Sequence, residues 1–427
     1  MTKTALLRTA KNILSENWRN TNTVPSPKLY PHQWNWDSGF IAIGYAHYNQ
    51  KRAAQELQSL FAGQWKNGML PSIIFRSKGA YFPGPDYWQS ELSQDAPKLP
   101  TSGITQPPIH AIAALKMYQH AKNKKTLQEL YPKILAFHRY LHTARDPERS
   151  GFATIFHPWE SGLDNSPRWD EVMTRIKPRN LPKYKRVDNK RIDATERPSD
   201  ETYDKFVYLM EIMKKGKYEP ATFYKKIPFR VKDLLFNSIL YTANQALSTI
   251  SEIIQEDDSE MKAWLKRMKK NYAKKFKDPS HHLFFDYDLV KKKLLKKRTI
   301  ASLMPLYTDL LTKQQNDKLI TWMKHSYLCW EHCKHSHKVI ASTSFEEEAF
   351  NPLNYWRGPI WINMNWLLYS GLRKHQHIKE AKKLKTAILE LVEEHGFNEY
   401  YNPLSGEGLG SKNFSWTAAL VIDLLED

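Results

Sequence analysis

Apolar side chains recur along this chain three and four residues apart, the spacing that gathers them on one face of an α-helix. The pattern is clear over 127–141, 239–254, 384–392 and 416–424, windows that reach almost to the end of the chain. A polar stretch, 411–413, precedes the last of them. Because each such helix must bury its apolar face against a neighbour, the chain is predicted to be all-α.

The segments between these helices are long and rich in Trp, Tyr, Pro, Gly and Asp. They cover 24–39, 63–107, 151–204, 343–361 and 396–415. Aromatic side chains are costly to leave in water, so we expect these loops to fold over a concave polar site. Helices in series with such loops suggest a closed toroid of helix pairs, although an open solenoid has the same periodicity.

We find no clear domain boundary and no exact repeat, and we therefore predict a single catalytic domain over residues 1–427. The one candidate for a separate lobe is the stretch from about 170 to 232, where Lys and Arg are frequent and helical patterning is poor. We interpret it as an insertion, or a lid, over the site.

Basic residues outnumber acidic ones by 64 to 45, which gives the 427-residue chain a net charge of +19. Such a surplus could attract nucleic acid, because Lys and Arg neutralise phosphates. The basic residues are spread along the chain, with one dense run at 291–298, and no helix-turn-helix, zinc-finger or aromatic RNA-binding motif accompanies them. We therefore expect a solvated basic face and no nucleic-acid partner.

Other features of the sequence bear on the compartment. No run of about eighteen uncharged apolar residues occurs, so no membrane span is expected. Residues 1–18 lack the apolar core of a signal peptide, and the two cysteines, Cys329 and Cys333, are spaced like neighbours on one helix face, which disfavours a disulfide. We expect a cytoplasmic protein. The His-rich segment 329–337 matches no standard zinc spacing, so neither a metal nor another cofactor is predicted.

The first motif with chemistry covers residues 30–40, Tyr-Pro-His-Gln-Trp-Asn-Trp-Asp-Ser-Gly-Phe. Sugar rings stack their C–H faces on aromatic side chains, and their hydroxyls need carboxylate or amide partners. Trp34, Trp36 and Asp37 supply both, with Tyr30 beside them. The alternative is a buried aromatic cluster in which Asp37 caps the following helix. Gln106, ahead of another helix, could likewise bind a hydroxyl or act as a cap.

The central motif covers residues 157–170, His-Pro-Trp-Glu-Ser-Gly-Leu-Asp-Asn-Ser-Pro-Arg-Trp-Asp. Its three acids, Glu160, Asp164 and Asp170, stand among Trp159 and Gly162. Glycoside hydrolysis needs one carboxylic acid kept protonated near an apolar wall and a second carboxylate to handle water or the anomeric carbon. This density of acids and aromatics favours a glycosidase, with Asp164 as the general acid.

Four motifs in the same order make the chain similar to glycoside hydrolase family 63, and within it to the compact bacterial mannosylglycerate and glucosylglycerate hydrolases. The motifs are Gln-Trp-Asn-Trp-Asp-Ser (33–38), Glu-Ser-Gly-Leu-Asp-Asn-Ser-Pro (160–167), Tyr-Trp-Arg-Gly-Pro-Ile-Trp (355–361) and Gly-Glu-Gly-Leu-Gly (406–410) before Phe-Ser-Trp-Thr-Ala. The resemblance spans about residues 18–424. It implies an (α/α)6 barrel with its active site at one end, an inverting mechanism, and an aspartate acid that falls on Asp164.

The resemblance also implies a glutamate base near the C-terminus. The matching stretch 396–403, Gly-Phe-Asn-Glu-Tyr-Tyr-Asn-Pro, offers Glu399, and Glu407 follows as an alternative. Segment 196–204 resembles the family's Arg-Pro stretch before a Tyr-Asp pair. The guanidinium of Arg197 in this segment suits a glycerate carboxylate. Lys205, however, stands where related chains usually have arginine. Segment 355–361 is either a sugar-binding wall or a core aromatic loop. The predicted substrate-binding residues are Tyr30, Trp34, Trp36, Asp37, Gln106, Trp159, Gly162, Arg197, Tyr203, Trp356, Arg357, Trp361 and Trp416.

These observations predict an inverting hydrolase of a small α-glycoside such as glucosylglycerate or mannosylglycerate. The partner is a small carbohydrate, and the basic surface would favour an anionic one. Two alternatives stay open: a trehalase-like or oligosaccharide α-glucosidase, and a carbohydrate-binding protein without catalysis. The sequence does not indicate the hexose, the aglycone or the oligomeric state.

Overall fold

The computed structural model describes residues 2–77, 81–188, 192–280, 283–324, 328, 330 and 338–427. Its α-helices are α1 (Lys3–Glu16), α2 (Asn35–Ala46), α3 (Gln50–Phe61), α4 (Pro85–Trp88), α5 (His110–Ala121), α6 (Lys124–His142), α7 (Asp170–Thr174), α8 (Asp200–Lys215), α9 (Pro220–Phe223), α10 (Leu234–Ile254), α11 (Ser259–Phe276), α12 (Lys313–Lys324), α13 (Ile362–Lys374), α14 (Ile378–His395) and α15 (Ser415–Glu426). Of the His-rich segment 329–337 only Trp330 is described, so the prediction about metal binding there lies outside the described residues.

Six helical segments form a closed inner ring. In order around the ring they are α2, α5, α10, a 3₁₀ helix (Ile300–Tyr307), α13 and α15, and α15 packs back against α2. Every residue of α2 and of the 3₁₀ helix is buried. A helix that is enclosed on all sides in this way is expected to be apolar all round rather than amphipathic.

Six further helices surround this ring: α1, α3, α6, α11, α12 and α14, each in contact with at least one inner segment. They are the amphipathic ones. In α6 the buried stripe includes Leu127, Leu130 and Ile134, and in α14 it includes Leu384 and Leu391. The predicted all-α class and the (α/α)6 barrel are therefore confirmed.

Short antiparallel strand pairs decorate the loops. They form the pair β1 (Gln33–Trp34) with β2 (Ile73–Ile74), the three-stranded β3 (Val231–Lys232), β4 (Asp286–Asp288) and β5 (Lys293–Leu295), and the hairpin β6 (Asn398–Tyr401) with β7 (Gly408–Lys412). In the hairpin Asn398 pairs with Lys412 and Tyr400 with Leu409, so the register shifts at Glu399. An irregularity of this kind re-aims the side chain that it carries.

Two expectations about the loops need correction. The predicted loop 24–39 is too long, because α2 already begins at Asn35. The stretch 170–232 is not poor in helix, because it contains the 16-residue α8, whose first turn is capped by the Ser199 hydroxyl accepting from the Thr202 amide. The frequent Lys and Arg residues obscured a regular stripe of buried apolar positions in α8, which includes Phe206 and Met210.

The inner ring positions the site. The residues that directly precede or open α2 and α15, together with residues of the loops before α5 and α13, line one pocket, which therefore lies at the N-terminal end of these helices. Close packing of α2 and α15 depends on Gly44, because a Cβ on it would lie 2.6 Å from the Ala419 Cα. Within the described ranges, every helix is too short or too polar to span a bilayer.

Candidate active site

One pocket at this end of the barrel gathers most of the residues predicted from the sequence. The predicted residues that line it are Tyr30, Trp34, Trp36, Asp37, Gln106, Trp159, Gly162, Asp164, Arg197, Tyr203, Trp356, Glu399 and Trp416. They come from seven separate segments of the chain. The pocket is thus a polar, aromatic-walled cavity lined by four carboxyl groups, those of Asp37, Asp164, Asp188 and Glu399, and by the guanidinium of Arg197.

Asp164 lies just after a short 3₁₀ helix (Pro158–Ser161). The turn between them needs Gly162, which has φ 76° and lies so close to the Trp36 ring that a Cβ would approach it to 2.4 Å. The pKa of Asp164 is raised to about 8. Burial is the largest cause; the neighbouring Arg197 acts to lower the pKa, and Glu399 acts to raise it. A carboxyl in this state carries its proton at neutral pH and can give it to a leaving oxygen.

Glu160, another acid of the same motif, anchors the loop that carries Asp164. Its Oε1 accepts from Arg145 at 2.6 Å and from the Thr105 amide at 3.2 Å. Its Oε2 accepts from Arg145 at 2.9 Å and from the Phe156 amide at 2.6 Å. Glu160 therefore fastens this loop to the segment before α5 and has no free oxygen to offer a substrate.

Glu399 lies in β6 at the register shift and is 1% exposed. Its Oε1 accepts from the Tyr30 hydroxyl at 2.8 Å, and its Oε2 accepts from the Ser411 amide at 3.0 Å and lies 3.7 Å from Arg197 Nη2. The pKa of Glu399 is raised overall, first by burial and also by the charge of Glu196, although Arg197, the Ser411 amide and Tyr30 act to lower it. Donors of this kind favour the ionised form, which is the form a general base needs.

Arg197 interacts with both Asp164 and Glu399. Its Nη1 donates to the Tyr30 hydroxyl at 3.0 Å, and its guanidinium lies 4.6 Å from the centre of the Tyr355 ring. The side chain is buried, yet its Nε and Nη2 have no hydrogen-bond partner in the described part of the chain. Two donors in a pocket wall are thus left for a negatively charged or hydroxyl-bearing ligand.

Two predicted binding residues do not line the pocket. Trp361 is stacked behind Trp356, with ring centres 3.6 Å apart, and its other contacts include the Tyr400 ring. Arg357 forms two bonds to Asp170, of 2.8 and 2.6 Å. In this structure Trp361 therefore supports the aromatic wall from behind, and Arg357 is paired with Asp170 outside the pocket lining.

Glu407, the alternative base, is exposed on the turn before β7 and is not part of the pocket lining. The turn places it on the solvent side of the hairpin, whereas Glu399 in β6 is buried. The geometry therefore favours Glu399 over Glu407.

Sequence reasoning missed two tyrosines that line the pocket, Tyr81 and Tyr355. The Tyr355 hydroxyl lies 3.4 Å from that of Tyr30. Both signals were present: Tyr355 directly precedes Trp356, and Tyr81 lies in the aromatic loop 63–107 next to Phe-Pro-Gly-Pro. An aromatic residue beside Pro and Gly in such a loop deserved the same weight as the tryptophans.

The stretch 170–232 contributes one wall through Asp188, Arg197, Pro198 and Tyr203. Asp188 is occupied, since its Oδ2 accepts from Arg186 at 2.8 Å and from the Tyr203 hydroxyl at 3.1 Å. Across the described ranges no group of three or more His, Cys, Asp or Glu side chains is arranged to hold a metal ion.

An (α/α)6 barrel in which carboxyl groups, among them Asp164 and Glu399, line one aromatic-walled pocket has the architecture of a glycoside hydrolase. The chain belongs to the family described as "Mannosylglycerate hydrolase MGH1-like glycoside hydrolase domain", whose model matches residues 30–417. The predicted membership of glycoside hydrolase family 63 and the assignment as a glycosidase are both confirmed.

Similar proteins cover the whole chain. A mannosylglycerate hydrolase of Thermus thermophilus is 40% identical over 423 residues, 97% of this chain and 99% of that protein. A glucosylglycerate hydrolase of Mycolicibacterium hassiacum is 36% identical over 440 residues, 99% and 98% of the two chains. The crystal structure of a family 63 mannosylglycerate hydrolase from Thermus thermophilus in complex with Tris and D-glycerate matches with a TM-score of 0.90 and 39% identity, over 98% of this chain and 99% of that one.

Proposed function

We propose that this glycosidase hydrolyses an α-linked hexosyl glycerate, mannosylglycerate or glucosylglycerate, with inversion at the anomeric carbon. The observation that carries the proposal is the difference between two carboxyl groups in one pocket. Burial keeps Asp164 protonated, whereas Glu399 receives hydrogen bonds from Tyr30 and the Ser411 amide beside Arg197. Inverting glycosidases need this division between an acid and a base.

In this mechanism Asp164 donates its proton to the glycosidic oxygen as the bond from that oxygen to the anomeric carbon breaks. A water molecule attacks the anomeric carbon from the opposite face, and Glu399 takes the proton that this water loses. The products are glycerate and a β-configured hexose, without a covalent intermediate. Tyr30 and the Ser411 amide hold the two oxygens of Glu399 in a fixed direction for this step.

Arg197 is the proposed partner of the glycerate carboxylate. Arg197 lines the pocket, its Nε and Nη2 have no hydrogen-bond partner in the described part of the chain, and a planar guanidinium binds carboxylates with two parallel hydrogen bonds. The relatives act on mannosylglycerate or glucosylglycerate by name, and one of their structures holds D-glycerate. The net charge of +19 would also steer an anionic substrate towards the protein.

We further propose that residues 1–427 act as one catalytic domain and that the stretch 170–232 covers the aglycone side of the pocket. Support comes from Arg197 and Tyr203, which line the pocket while their segment contacts the loop before α13 and strand β7. Covering the site in this way would exclude bulk water from the two carboxyl groups.

A matched pair of substrates tests the proposal. α-Glucosylglycerate and α-glucosylglycerol share the same glucose and differ in one carboxylate, so their kcat/KM ratio measures recognition of that group. We expect wild type to prefer the glycerate conjugate by about thirtyfold, and Arg197→Ala to lose most of this preference, because a charged hydrogen bond is removed. Arg139→Ala, at the exposed pair with Glu260, is the matched arginine control and should leave the ratio unchanged.

The remaining substrates of the panel are α-mannosylglycerate, trehalose and a short α-glucan. Faster turnover of trehalose or the glucan than of both glycerate conjugates would contradict the proposal and favour the α-glucosidase alternative. No turnover of any substrate would favour the non-catalytic binding protein.

A further inference from the structure

The backbone on both sides of Arg197 is held by contacts from other parts of the chain. Asn354 Nδ2 donates to the Thr195 carbonyl at 2.8 Å and to the Arg197 carbonyl at 3.2 Å. On the other side, Arg186 Nη1 donates to the Pro198 carbonyl at 2.7 Å. The loop before α13 and the stretch 170–232 itself therefore both restrain the segment that carries the guanidinium.

A third contact comes from the hairpin that carries Glu399. Glu196 is half-buried, and its Oε2 accepts from the Tyr400 hydroxyl at 3.0 Å and from the Gly410 amide at 3.0 Å. Tyr400 directly follows Glu399, and Gly410 directly precedes Ser411, whose amide binds Glu399. The hairpin therefore binds two carboxylates at neighbouring positions. It holds Glu196 through Tyr400 and Gly410, and it holds Glu399 through Ser411.

These contacts make Glu196 a bridge between two groups of the reaction. Its own backbone continues into Arg197, and its carboxylate binds the strands that orient Glu399. Arg197 Nη2 in turn lies 3.7 Å from Glu399 Oε2. Glu196 and Glu399 are also close enough that the charge of Glu196 raises the pKa of Glu399.

We propose that Glu196 is a positioning residue that latches the Arg197 segment to the β6–β7 hairpin and thereby sets the contact between Arg197 and Glu399. This inference rests on the proposed function, in which Glu399 is the base and Arg197 binds the aglycone. It assigns to Glu196 no contact with the substrate. The latch acts on Arg197 through the shared backbone and on Glu399 through the hydrogen bonds to Tyr400 and Gly410.

Two variants of Glu196 separate the hydrogen bonds from the charge. Glu196→Gln keeps an oxygen that can accept from Tyr400 and Gly410, whereas Glu196→Ala removes both bonds. Glu201→Gln is the matched control, because Glu201 is an exposed carboxylate on α8 that pairs with Lys205 and lies outside the pocket lining. Tyr400→Phe removes one donor and keeps the ring that stacks on Trp361.

The first readout needs no turnover. Hydrogen–deuterium exchange is followed in the unliganded full chain over peptides that contain 195–198 and 408–412. Glu196→Ala should speed exchange in both segments, because the Gly410 amide loses its acceptor, and Glu196→Gln and Glu201→Gln should match wild type. Unchanged exchange over 408–412 in Glu196→Ala would overturn the latch.

The second readout is kcat/KM on the preferred glycerate conjugate. Glu196→Ala should lower it about tenfold, the usual result of losing a charged hydrogen bond, while Glu196→Gln stays within about threefold of wild type. The double variant Glu196→Ala with Tyr400→Phe should be no worse than Glu196→Ala alone, because both changes break the same bond. Faster exchange without loss of kcat/KM would overturn the positioning role.

The two proposals fail in different ways. If wild type hydrolyses no member of the substrate panel, the proposed function fails, and the exchange measurement alone decides whether the latch exists. If wild type is active and neither variant of Glu196 changes exchange or kcat/KM, the proposed function stands and the latch is wrong.

Discussion

The two ends of helices α2 and α15 differ in how their polar groups are satisfied. At the end away from the pocket, Asp423 of α15 lies 2.9 Å from His47 Nε2, just after α2, and accepts from Lys116 at 3.0 Å and from Trp366 Nε1 at 2.8 Å. These partners hold the pKa of Asp423 down to about 2 although burial opposes it. The cluster therefore joins α15 to α5, to α13 and to the residue that follows α2.

At the pocket end the same helices carry polar groups without partners. Burial raises the pKa of Asp37, in the first turn of α2, well above its usual range. The indole N–H groups of Trp34 and Trp416 are buried and find no acceptor among the described residues. Leaving such groups unpaired costs stability, about 1–3 kcal/mol each. The comparison teaches that Asp423 is held by paired groups that join the barrel, whereas the indole N–H groups of Trp34 and Trp416 are left where a sugar hydroxyl would satisfy them.

The largest expected effect is at the pocket end. Asp164→Asn removes the transferable proton but keeps the shape of the side chain, so kcat/KM should fall about a thousandfold. Stability at neutral pH should not fall, because a buried ionisable group is replaced by a neutral one. Steady-state kinetics and urea unfolding of the same preparation check both statements. Retention of more than a tenth of wild-type activity would reject Asp164 as the acid.

The reverse pattern is expected at the other end. Asp423→Asn weakens the contacts to Lys116, His47 and Trp366 and should lower the free energy of unfolding by about 2–3 kcal/mol. Because this cluster lies away from the pocket, kcat/KM should stay within twofold of wild type under native conditions. Glu260→Gln, at an exposed ion pair, is the control and should cost under about 0.5 kcal/mol. A large loss of kcat/KM in folded Asp423→Asn would break the comparison.

The two aspartates should also give opposite pH dependences of stability. The pKa of Asp164 is about 8 in the folded protein and about 3.9 in an unfolded chain, so its contribution is present at low pH and is lost as pH rises from 4 to 8. Relative to Asp164→Asn, wild type should lose about 2 kcal/mol between pH 5 and pH 7. The lowered pKa of Asp423 predicts the opposite, a contribution present above pH 4 and lost towards pH 2. Urea unfolding across this range measures both, and slopes of the same sign would contradict the account.

The smallest effect is expected for Glu407→Gln. Glu407 is exposed and outside the pocket lining, so kcat/KM should stay within about twofold of wild type, whereas Glu399→Gln should lose about a thousandfold. Kinetics of the two variants under one condition make the test. A comparable loss in Glu407→Gln would shift the base to the turn.

Periodicity predicts the outer helices, which have one face in water, and it also indicates the inner helices α10 and α15. The outer helices α6 and α14 carry a regular apolar stripe, because one side packs on the inner ring and the other meets water. It does not predict the 3₁₀ helix Ile300–Tyr307, which is buried all round and contains Pro305. Full burial removes the alternation between apolar and polar positions on which periodicity depends.

Motifs predict well which loops form the pocket. They predict less well which side chains of a loop face the pocket. Trp356 and Trp361 share one motif, yet only Trp356 lines the pocket, because the two rings stack one behind the other. Arg357 is turned outward to Asp170. Tyr81 reaches the same pocket from a loop hundreds of residues away from Glu399, and no local pattern encodes that proximity. The side of a loop and the distance between loops are decided by tertiary packing.

The most direct test of the central claim is the configuration of the first product. Proton NMR of the anomeric signals is recorded within the first minutes of α-glucosylglycerate hydrolysis by wild type, before mutarotation mixes the two forms. The account predicts that β-glucose appears first and that α-glucose grows in later, with neither formed by Asp164→Asn or Glu399→Gln. Initial release of α-glucose would show retention and would contradict Glu399 as a base that activates water.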